Sequence, residues 1–378
     1  MKHRSWLLVL SLVGTLALTS CAAAGRDQQS AEIVIGEYGS LTGTTATFGI
    51  STRNGIEMAV DDVNEAGGIL GKKVRILVED DQGKPEEAQT VVTKLISKDQ
   101  VIAVLGEVAS SRSLAAAPVA QQNGIPMITP SSTNPRVTET GDYIFRVCFI
   151  DPFQGLVMAK FATNSLKIKN VAILRDIKND YSVGLADVFV ENFKTMGGNI
   201  VADESYSEGD TDFSAQLTSI KSRKPQAIFV PGYYTEVGLV ARQAQKLGLT
   251  IPLLGGDGWD SPKLIEIGGE ALSGSYYSNH FSVQDPSPAI QNDYKARYGA
   301  VPDALAGLGF DAAQVLFDAI RRANSTEGDK IRDALAQTKD YPGVTGKITI
   351  DRARNAVKPA VVLQVKNGQL EYVETINP

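Results

Sequence analysis

Short apolar runs alternate with segments of helical periodicity through the first half of the chain. The runs predict strands over 33–35, 74–78, 101–105 and 127–129. Between them apolar residues recur three and four positions apart, as in Ile56, Ala59 and Val63, which indicates helices. Strands and helices that alternate at this length predict right-handed crossovers and a parallel sheet.

The same alternation begins again after Asp151. It predicts strands over 171–174, 200–202, 227–230 and 252–254, and beyond Tyr276 three further helices and two terminal strands. One open sheet of so many strands would be unusually wide, so the pattern predicts an α/β fold of two doubly wound, Rossmann-like parallel-sheet domains. Ligands bind such sheets at the carboxyl ends of the strands, so we expect the site in the cleft between the domains.

The first twenty residues follow a different pattern. Lys2 and Arg4 precede an apolar run over 6–18, which is too short to span a bilayer. The run ends in Leu-Thr-Ser-Cys at 18–21, which resembles a bacterial lipobox. We therefore interpret 1–20 as a lipoprotein signal peptide, Cys21 as the lipid-attachment residue and 21–31 as a tether. A buried N-terminal helix, a signal anchor and simple secretion with an unmodified Cys21 are the alternatives.

Charge and composition exclude several classes of protein. The 378 residues carry 37 Lys and Arg against 43 Asp and Glu, and this net charge of −6 argues against a nucleic-acid partner. Two cysteines, Cys21 and Cys148, are too few for a disulfide scaffold or a thiolate metal cluster. If 1–20 are removed, His280 is the one histidine left.

The chain contains no familiar enzyme motif. It has no GxxxxGK[ST] phosphate loop, no GxGxxG after the first strand and no GxSxG turn. A single histidine also argues against a Ser-His-Asp triad or histidine–metal chemistry. The sequence therefore predicts a binding protein and not an enzyme, with no cofactor and no metal site.

Polar residues at the ends of the predicted strands are the candidate ligand-binding groups. In the first half Ser110 opens a helix after the third strand, and Ser131, Ser132 and Thr133 follow the fourth. Hydroxyls and free N–H groups at the start of a helix favour a carboxylate. A plain helix N-cap at Ser110, and a turn at 129–135 that satisfies its own backbone, are the alternatives.

The second half offers aromatic rings and one carboxylate. Tyr181 and Tyr233 each follow a strand, where a ring either lines the cleft or packs at the sheet edge. Asp257 lies in the glycine-rich turn 255–258, where it either reaches a ligand or only favours the turn. Hydroxyls from one half and a carboxylate from the other would match a zwitterion.

With these residues at the ends of its predicted strands, the sequence resembles the leucine/isoleucine/valine-binding proteins. Those proteins are the substrate-binding components of branched-chain amino-acid ABC transporters and have the type I periplasmic-binding fold. The resemblance covers about 32–365. Its most specific stretches are GSLTG at 39–43, GGILG at 67–71, EDD at 79–81, GIP at 124–126, SSTNP at 131–135 and PGYY at 231–234.

The resemblance implies a role for each candidate. Ser110 and Thr133 would hold the ligand carboxylate, and Asp257 would bind its ammonium. The other implied groups are the backbone of Ala109, Ser131 and Ser132, the cleft rings Tyr181 and Tyr233, and Phe48 as an aromatic lid.

This sequence departs from the best-known members at three places. Those members have a glutamate at the position of Asp257, and a disulfide where Gly83 and Ala109 stand here. Some also have an aromatic residue where this chain has 305–308, so its side-chain pocket is expected to be roomier.

The function implied is that of an extracytoplasmic, monomeric receptor, lipid-anchored through Cys21 to a membrane. It would bind a branched-chain or other small aliphatic amino acid and deliver it to an ABC permease. The lobes would be 32–149 with 282–357 and 150–281 with 358–378, joined by a three-segment hinge near 149–151, 279–282 and 358–359. A receptor for another small amide or carboxylate, such as an aromatic acid or urea, and a sensory role are the alternatives.

Overall fold

The computed structural model describes residues 32–282 and 288–378, so the signal peptide and tether predicted at 1–31 lie outside the described residues. The first sheet is parallel and consists of strands β1 to β5: Ile33–Gly39, Val74–Asp80, Val104–Leu105, Met127–Thr129 and Ile144–Arg146. Helices α1 to α4 connect them: Ala46–Glu65, Pro85–Ser97, Ser110–Gln122 and Arg136–Glu139. The strand order is β2-β1-β3-β4-β5.

The second sheet repeats this arrangement. Its parallel strands β6 to β10 are Asn170–Asp176, Asn199–Tyr206, Ala227–Phe229, Leu253–Gly255 and Tyr276–Asn279, in the order β7-β6-β8-β9-β10. Helices α5 to α9 are Asp151–Lys160, Asp180–Thr195, Ser214–Ser222, Tyr234–Lys246 and Pro262–Gly268. A π-helical turn, Phe161–Ser165, extends α5, and 3-10 turns lie at Asp257–Trp259 and Gly269–Leu272.

The remaining segment forms three helices, a small third sheet and two strands that join the second sheet. Helices α10 to α12 are Pro288–Tyr298, Ala304–Ala323 and Gly328–Ala336, followed by a small sheet of β11 to β13: Tyr341–Gly343, Gly346–Ile350 and Ala356–Val357. Strands β14 (Ala360–Lys366) and β15 (Gln369–Ile376) then join the second sheet in antiparallel pairing beside β10.

Helix α11 packs tightly on α1. A Cβ added at Gly55 would lie 1.9 Å from the carbonyl oxygen of Ala306, and one at Gly309 would lie 2.4 Å from that of Thr52. Only glycine permits this backbone approach. The contact holds α11 against α1, and α1 in turn belongs to the first sheet's layer of helices. We call 33–146 with 288–350 the first lobe, and 151–279 with 360–376 the second lobe.

Each sheet changes the direction of its winding at one point, between β1 and β3 and between β6 and β8. In doubly wound sheets the crevice for a ligand forms there, at the carboxyl ends of the strands. Loops at these ends meet across the lobes: Ser111 Oγ lies 2.9 Å from Asp180 Oδ2, and Thr47 Oγ1 lies 2.8 Å from Ser261 Oγ.

The predicted α/β fold class is confirmed, since both lobes are doubly wound around a largely parallel sheet. The hydrophobic pattern missed β5 and β15, which are a three-residue strand and a largely exposed edge strand. It also overestimated the third strand, because only Val104–Leu105 of 101–105 forms a regular ladder. Within the described ranges no helix is both long and apolar enough to cross a bilayer.

Candidate ligand-binding site

A small cavity lies between the lobes at the carboxyl ends of the strands. The first lobe contributes Phe48, Val108 and Ser131, and the second contributes Tyr181, Tyr233, Asp257 and Gly258. Five of these seven residues are among the nine predicted from the sequence. The remaining four of the nine predicted residues lie on the two loops that carry Val108 and Ser131; they are Ala109, Ser110, Ser132 and Thr133.

Ser110 and Thr133 provide the two predicted hydroxyls. The N-cap of α3 is Ala109, which makes no side-chain cap, so the plain N-cap interpretation of Ser110 is wrong. Ser110 Oγ accepts instead from the Asn134 N–H at 3.2 Å, which joins the two loops. The Thr133 hydroxyl is buried and has no hydrogen-bond partner within the described part of the chain, although the Asp151 carboxyl lies beside it.

Ala109 and Ser132 have their backbone N–H groups engaged inside the first lobe. The N–H of Ala109 donates to the Glu107 carboxylate, and that of Ser132 donates to Thr129 Oγ1 at 2.8 Å. The Ser132 hydroxyl lies 2.8 Å from the Glu107 carbonyl oxygen. The loop after β4 therefore satisfies part of its own backbone, as one interpretation of the sequence expected, and these two residues hold the loops together.

Asp257 begins the turn after β9, and its contacts reach well beyond that turn. Its N–H donates to Gln154 Oε1 at 2.7 Å. Its Oδ2 lies 2.9 Å from His280 Nε2 and 3.3 Å from Ser131 Oγ of the first lobe. Its Oδ1 is buried and has no partner among the described residues. Asp257 thus makes contacts well beyond its turn, because its Oδ2 lies near His280 and Ser131 while its Oδ1 is buried.

Two glycines bring Asp257 close to the tyrosines. A Cβ at Gly258 would lie 2.8 Å from the Gly232 carbonyl oxygen and 2.9 Å from the Tyr233 ring. One at Gly256 would lie 2.6 Å from the Tyr181 hydroxyl. Real Cβ atoms essentially never approach this closely, so a larger residue at either position would push the turn and its carboxylate away from the rings.

Aromatic rings form the walls of the cavity. Tyr181 and Tyr233 stack at 5.5 Å, and Phe48 meets Tyr233 edge-on at 5.4 Å and Tyr234 at 5.0 Å. The Tyr181 hydroxyl accepts from the Gly258 N–H at 3.0 Å, which orients that ring. Because Phe48 belongs to the first lobe and the tyrosines to the second, the rings line the cleft between the lobes. Such a cage favours an apolar group.

A buried charge network supports the loop after β3. Ser40 Oγ donates to Glu107 Oε1 at 2.7 Å and lies 3.1 Å from Asp81 Oδ1. Burial and the charge of the nearby Glu107 together raise the pKa of Asp81 to about 8. Burial also raises the pKa of Glu107, and the Arg112 guanidinium opposes that shift.

Arg112 fills the space beside Gly83. A Cβ on Gly83 would lie 3.3 Å from Arg112 Nη2, and the same Nη2 donates to Glu208 Oε1 of the second lobe at 2.8 Å. An ion pair between the lobes thus lies next to Gly83.

Three ionisable groups surround Asp257. Burial raises the pKa of Asp151 to about 8, with a contribution from the charge of Asp257. Burial raises the pKa of the Cys148 thiol to about 12, so Cys148 is a buried neutral residue. Burial lowers the pKa of His280, and the hydrogen bond to Asp257 opposes this.

Sequence reasoning missed His280, Gln154 and Arg112. His280 could have been noticed, because a lone histidine in a predicted crossover between domains has no packing reason to be there. Gln154 and Arg112 look like ordinary helix residues, and only the packing brings them to Asp257 and Glu208. No group of three or more potential metal ligands occurs in 32–282 or 288–378.

Comparison with known proteins agrees with this geometry. The family model described as periplasmic binding protein matches residues 32–369. The Leu/Ile/Val-binding protein BraC3 of Rhizobium johnstonii is 34% identical over 345 residues, which is 90% of this chain and 92% of that protein. The chain therefore belongs to the periplasmic binding protein family that includes the Leu/Ile/Val-binding proteins, and the resemblance inferred from its motifs is confirmed.

Solved structures of substrate-binding proteins also resemble this chain. A leucine-binding protein, LivK, of Thermotoga maritima superposes with a TM-score of 0.89 and is 42% identical, covering 92% of this chain and 99% of that one. The branched-chain amino acid binding protein LivJ of Streptococcus pneumoniae, in complex with isoleucine, has a TM-score of 0.87, 35% identity and coverage of 92% and 100%. A solute-binding protein of Rhodopseudomonas palustris in complex with 3,4-dihydroxybenzoic acid has a TM-score of 0.83, 25% identity and coverage of 92% and 97%.

Proposed function

We propose that this protein is the extracytoplasmic substrate-binding component of an ABC importer for a branched-chain or other small aliphatic amino acid. The observation that carries the proposal is the buried Asp257 Oδ1, which has no partner among the described residues and lies in a cleft walled by aromatic rings. A buried carboxylate oxygen without a partner is costly, so the site favours a ligand that brings a cation.

The rest of the ligand follows from the other walls. The α-ammonium would pair with Asp257. The α-carboxylate would bind the hydroxyl of Ser110 at the start of α3 and that of Thr133 on the loop after β4. The side chain would contact Phe48, Val108 and Tyr233, which are uncharged. These contacts support an uncharged, aliphatic side chain.

Binding would be coupled to closure of the lobes. As closed here, the cavity measures about 10 Å³, room for roughly one water molecule, so an amino acid would enter with the lobes apart. We propose that the lobes are 32–149 with 282–357 and 150–281 with 358–378. Their three crossovers would act as the hinge.

Delivery to a permease is the proposed consequence of closure. The closed form brings loops of both lobes onto one surface, for example where the Thr235 hydroxyl donates to the Thr44 carbonyl oxygen at 2.7 Å. A permease that recognises this combined surface would accept the loaded form and not the open one. Genes for a permease and an ATPase beside this one would support transport, and genes for a signalling partner alone would support a sensory role.

Calorimetry with matched ligands tests the proposal. Leucine should bind, whereas 4-methylpentanoate, which lacks the ammonium, and 3-methylbutylamine, which lacks the carboxylate, should bind far more weakly or not at all. Valine and isoleucine should bind like leucine, and lysine and aspartate should not bind. Tight binding of 4-methylpentanoate would show that the protein does not recognise the ligand by its ammonium group.

An aromatic acid is the second candidate ligand. The stacked Tyr181 and Tyr233 rings would hold a planar ligand, and one structural relative is in complex with 3,4-dihydroxybenzoic acid. Benzoate and 3,4-dihydroxybenzoate therefore belong in the same calorimetric series. Binding of these acids without binding of any amino acid would replace the amino-acid proposal by this one, and binding of urea would favour an amide ligand.

A further inference from the structure

His280 is a buried partner of the ligand-facing carboxylate. Its Nε2 lies 2.9 Å from Asp257 Oδ2 and 3.4 Å from Ser131 Oγ, and its side chain is fully buried. An ionised carboxylate can only accept a hydrogen bond, so Nε2 carries the proton in the neutral ring. Nδ1 is then a bare acceptor, and it has no hydrogen-bond partner in the described ranges.

His280 also lies where two crossovers between the lobes meet. It follows β10 directly, and its ring stacks at 3.7 Å on Phe149 of the first crossover. Lys358 of the last crossover lies close enough to oppose a positive charge on the ring. The imidazole thus touches the hinge on one side and the proposed ammonium site on the other.

We infer that His280 determines both the orientation and the charge of the ammonium site. Its Nε2–H donates to Asp257 Oδ2, so that Oδ1 faces the ligand. When the imidazole is protonated, it competes with the ligand ammonium for this carboxylate. The inference rests on the proposed amino-acid binding. It makes ligand affinity depend on pH through a residue that does not itself line the cavity.

The competition follows from charge. With a neutral imidazole, Asp257 holds its full negative charge for the ammonium. A second proton, on Nδ1, converts His280 into an internal cation at 2.9 Å from the same carboxylate. The ligand ammonium would then meet a carboxylate that is already neutralised, so bound ligand and the second proton disfavour each other.

The other ionisable groups that face His280 and Asp257 do not change charge in the same window. Below pH 6.5, Asp151 with its pKa raised to about 8 is protonated, and Cys148 with a pKa of about 12 is neutral. Lys358, whose pKa is lowered to about 8 by burial, is positively charged there. Burial lowers the pKa of His280 from 6.5, so its titration is expected below that pH.

Leucine titrations of wild type and His280→Gln between pH 7.5 and 4.5 test the inference. The glutamine amide still donates to Asp257 and does not titrate. The leucine affinity of wild type should fall about tenfold for each pH unit below the pKa of unliganded His280, because His280 must release one proton when leucine binds. At pH 7.5 the Kd of the variant for leucine should lie within a few-fold of that of wild type. Between pH 7.5 and 4.5 its Kd should increase by a factor at least about tenfold smaller than the increase for wild type.

Two measurements on wild type keep the test independent of the folding of the variant. Calorimetry in buffers of different ionisation enthalpy should show proton release on leucine binding below pH 6.5. Imidazole NMR signals should show one ring, absent from His280→Gln, whose titration shifts to lower pH with leucine.

The outcomes separate the two proposals. If no amino acid binds at any pH, the proposed function fails and this inference fails with it. If leucine binds, but wild type and His280→Gln lose affinity in parallel, only the role of His280 is overturned. Leucine binding without proton release, or a His280 ring that does not titrate above pH 4.5, would overturn it equally.

Discussion

Arg112 and Glu208 form an ion pair across the cleft, with Arg112 Nη2 at 2.8 Å from Glu208 Oε1. The arginine side chain is 2% exposed and the glutamate 32%. Arg112 is held by Glu107 and Asp81 within the first lobe, whereas Glu208 comes from the loop after β7 in the second. The pair joins the two lobes, so we expect it to stabilise the closed state.

We therefore expect Glu208→Gln to weaken leucine binding. Because Glu208 is partly exposed, the loss should be about 1 kcal/mol, or roughly fivefold in Kd. The effect should shrink at high salt, which screens the wild-type pair. Asp203→Asn is the matched control, since Asp203 pairs with Arg175 inside the second lobe. Equal affinity of all three proteins at low salt would show that the pair does not contribute to closure.

Removal of the Asp257 carboxylate should have a larger effect. Asp257→Ala is expected to lose about 2–5 kcal/mol of leucine binding, or roughly 30- to several-thousand-fold in Kd, because the ligand ammonium is left without its buried partner. Asp257→Asn should lose less, since its amide oxygen still accepts a hydrogen bond. Titration calorimetry measures both.

Thermal unfolding of the empty protein is the control for Asp257. The alanine variant also loses the contacts to His280 and Ser131, at about 1 kcal/mol for each hydrogen bond. A large drop in unfolding temperature with unchanged leucine affinity would show that Asp257 serves the fold and does not bind the ammonium.

The lipid anchor is tested by fractionation. We expect the wild-type protein in the membrane fraction with an acylated Cys21, detectable by mass spectrometry. Cys21→Ala should remain uncleaved or appear in the soluble fraction, because the acceptor thiol is gone. Cys148→Ala is the matched control, since Cys148 is buried in the first crossover. If wild type and Cys21→Ala fractionate alike as soluble protein, the lipobox interpretation is wrong.

Stability should depend on pH through Glu37. This glutamate is buried in β1, and burial together with the charge of Glu57 raises its pKa to about 8 from an ordinary value of 4.5. Between these values the folded protein holds a proton that the unfolded chain releases. The free energy of unfolding should therefore fall as the pH rises from about 4.5 to 8, by on the order of a few kcal/mol.

Glu37→Gln removes the contribution of Glu37 to this dependence. The variant should resemble wild type at pH 5 and unfold at a higher temperature than wild type at pH 8.5. Glu191→Gln, a change on the exposed face of α6, should leave the pH profile unaltered. Profiles of wild type and Glu37→Gln that stay parallel from pH 5 to pH 8.5 would contradict the assignment.

The local pattern of the sequence determined most of the fold. Helices and strands with a strong apolar period, such as α2 and β6, formed where they were predicted, because burial of one face depends on residues a few positions apart. Positions such as Ser131, Tyr181 and Asp257 were recognised because strand ends in doubly wound sheets lie at one edge. The edge strand β15 was missed because it is largely exposed and its apolar period is weak.

Only the tertiary structure decided how those strand ends are paired and charged. Asp257 bonds to Ser131, 126 positions away in the chain, and Arg112 to Glu208, 96 positions away. Such pairs depend on how two separately folded sheets approach each other, and no local period encodes that. The pKa shifts of Asp151 and His280 depend in the same way on burial, which arises only when distant segments of the chain pack together and exclude water.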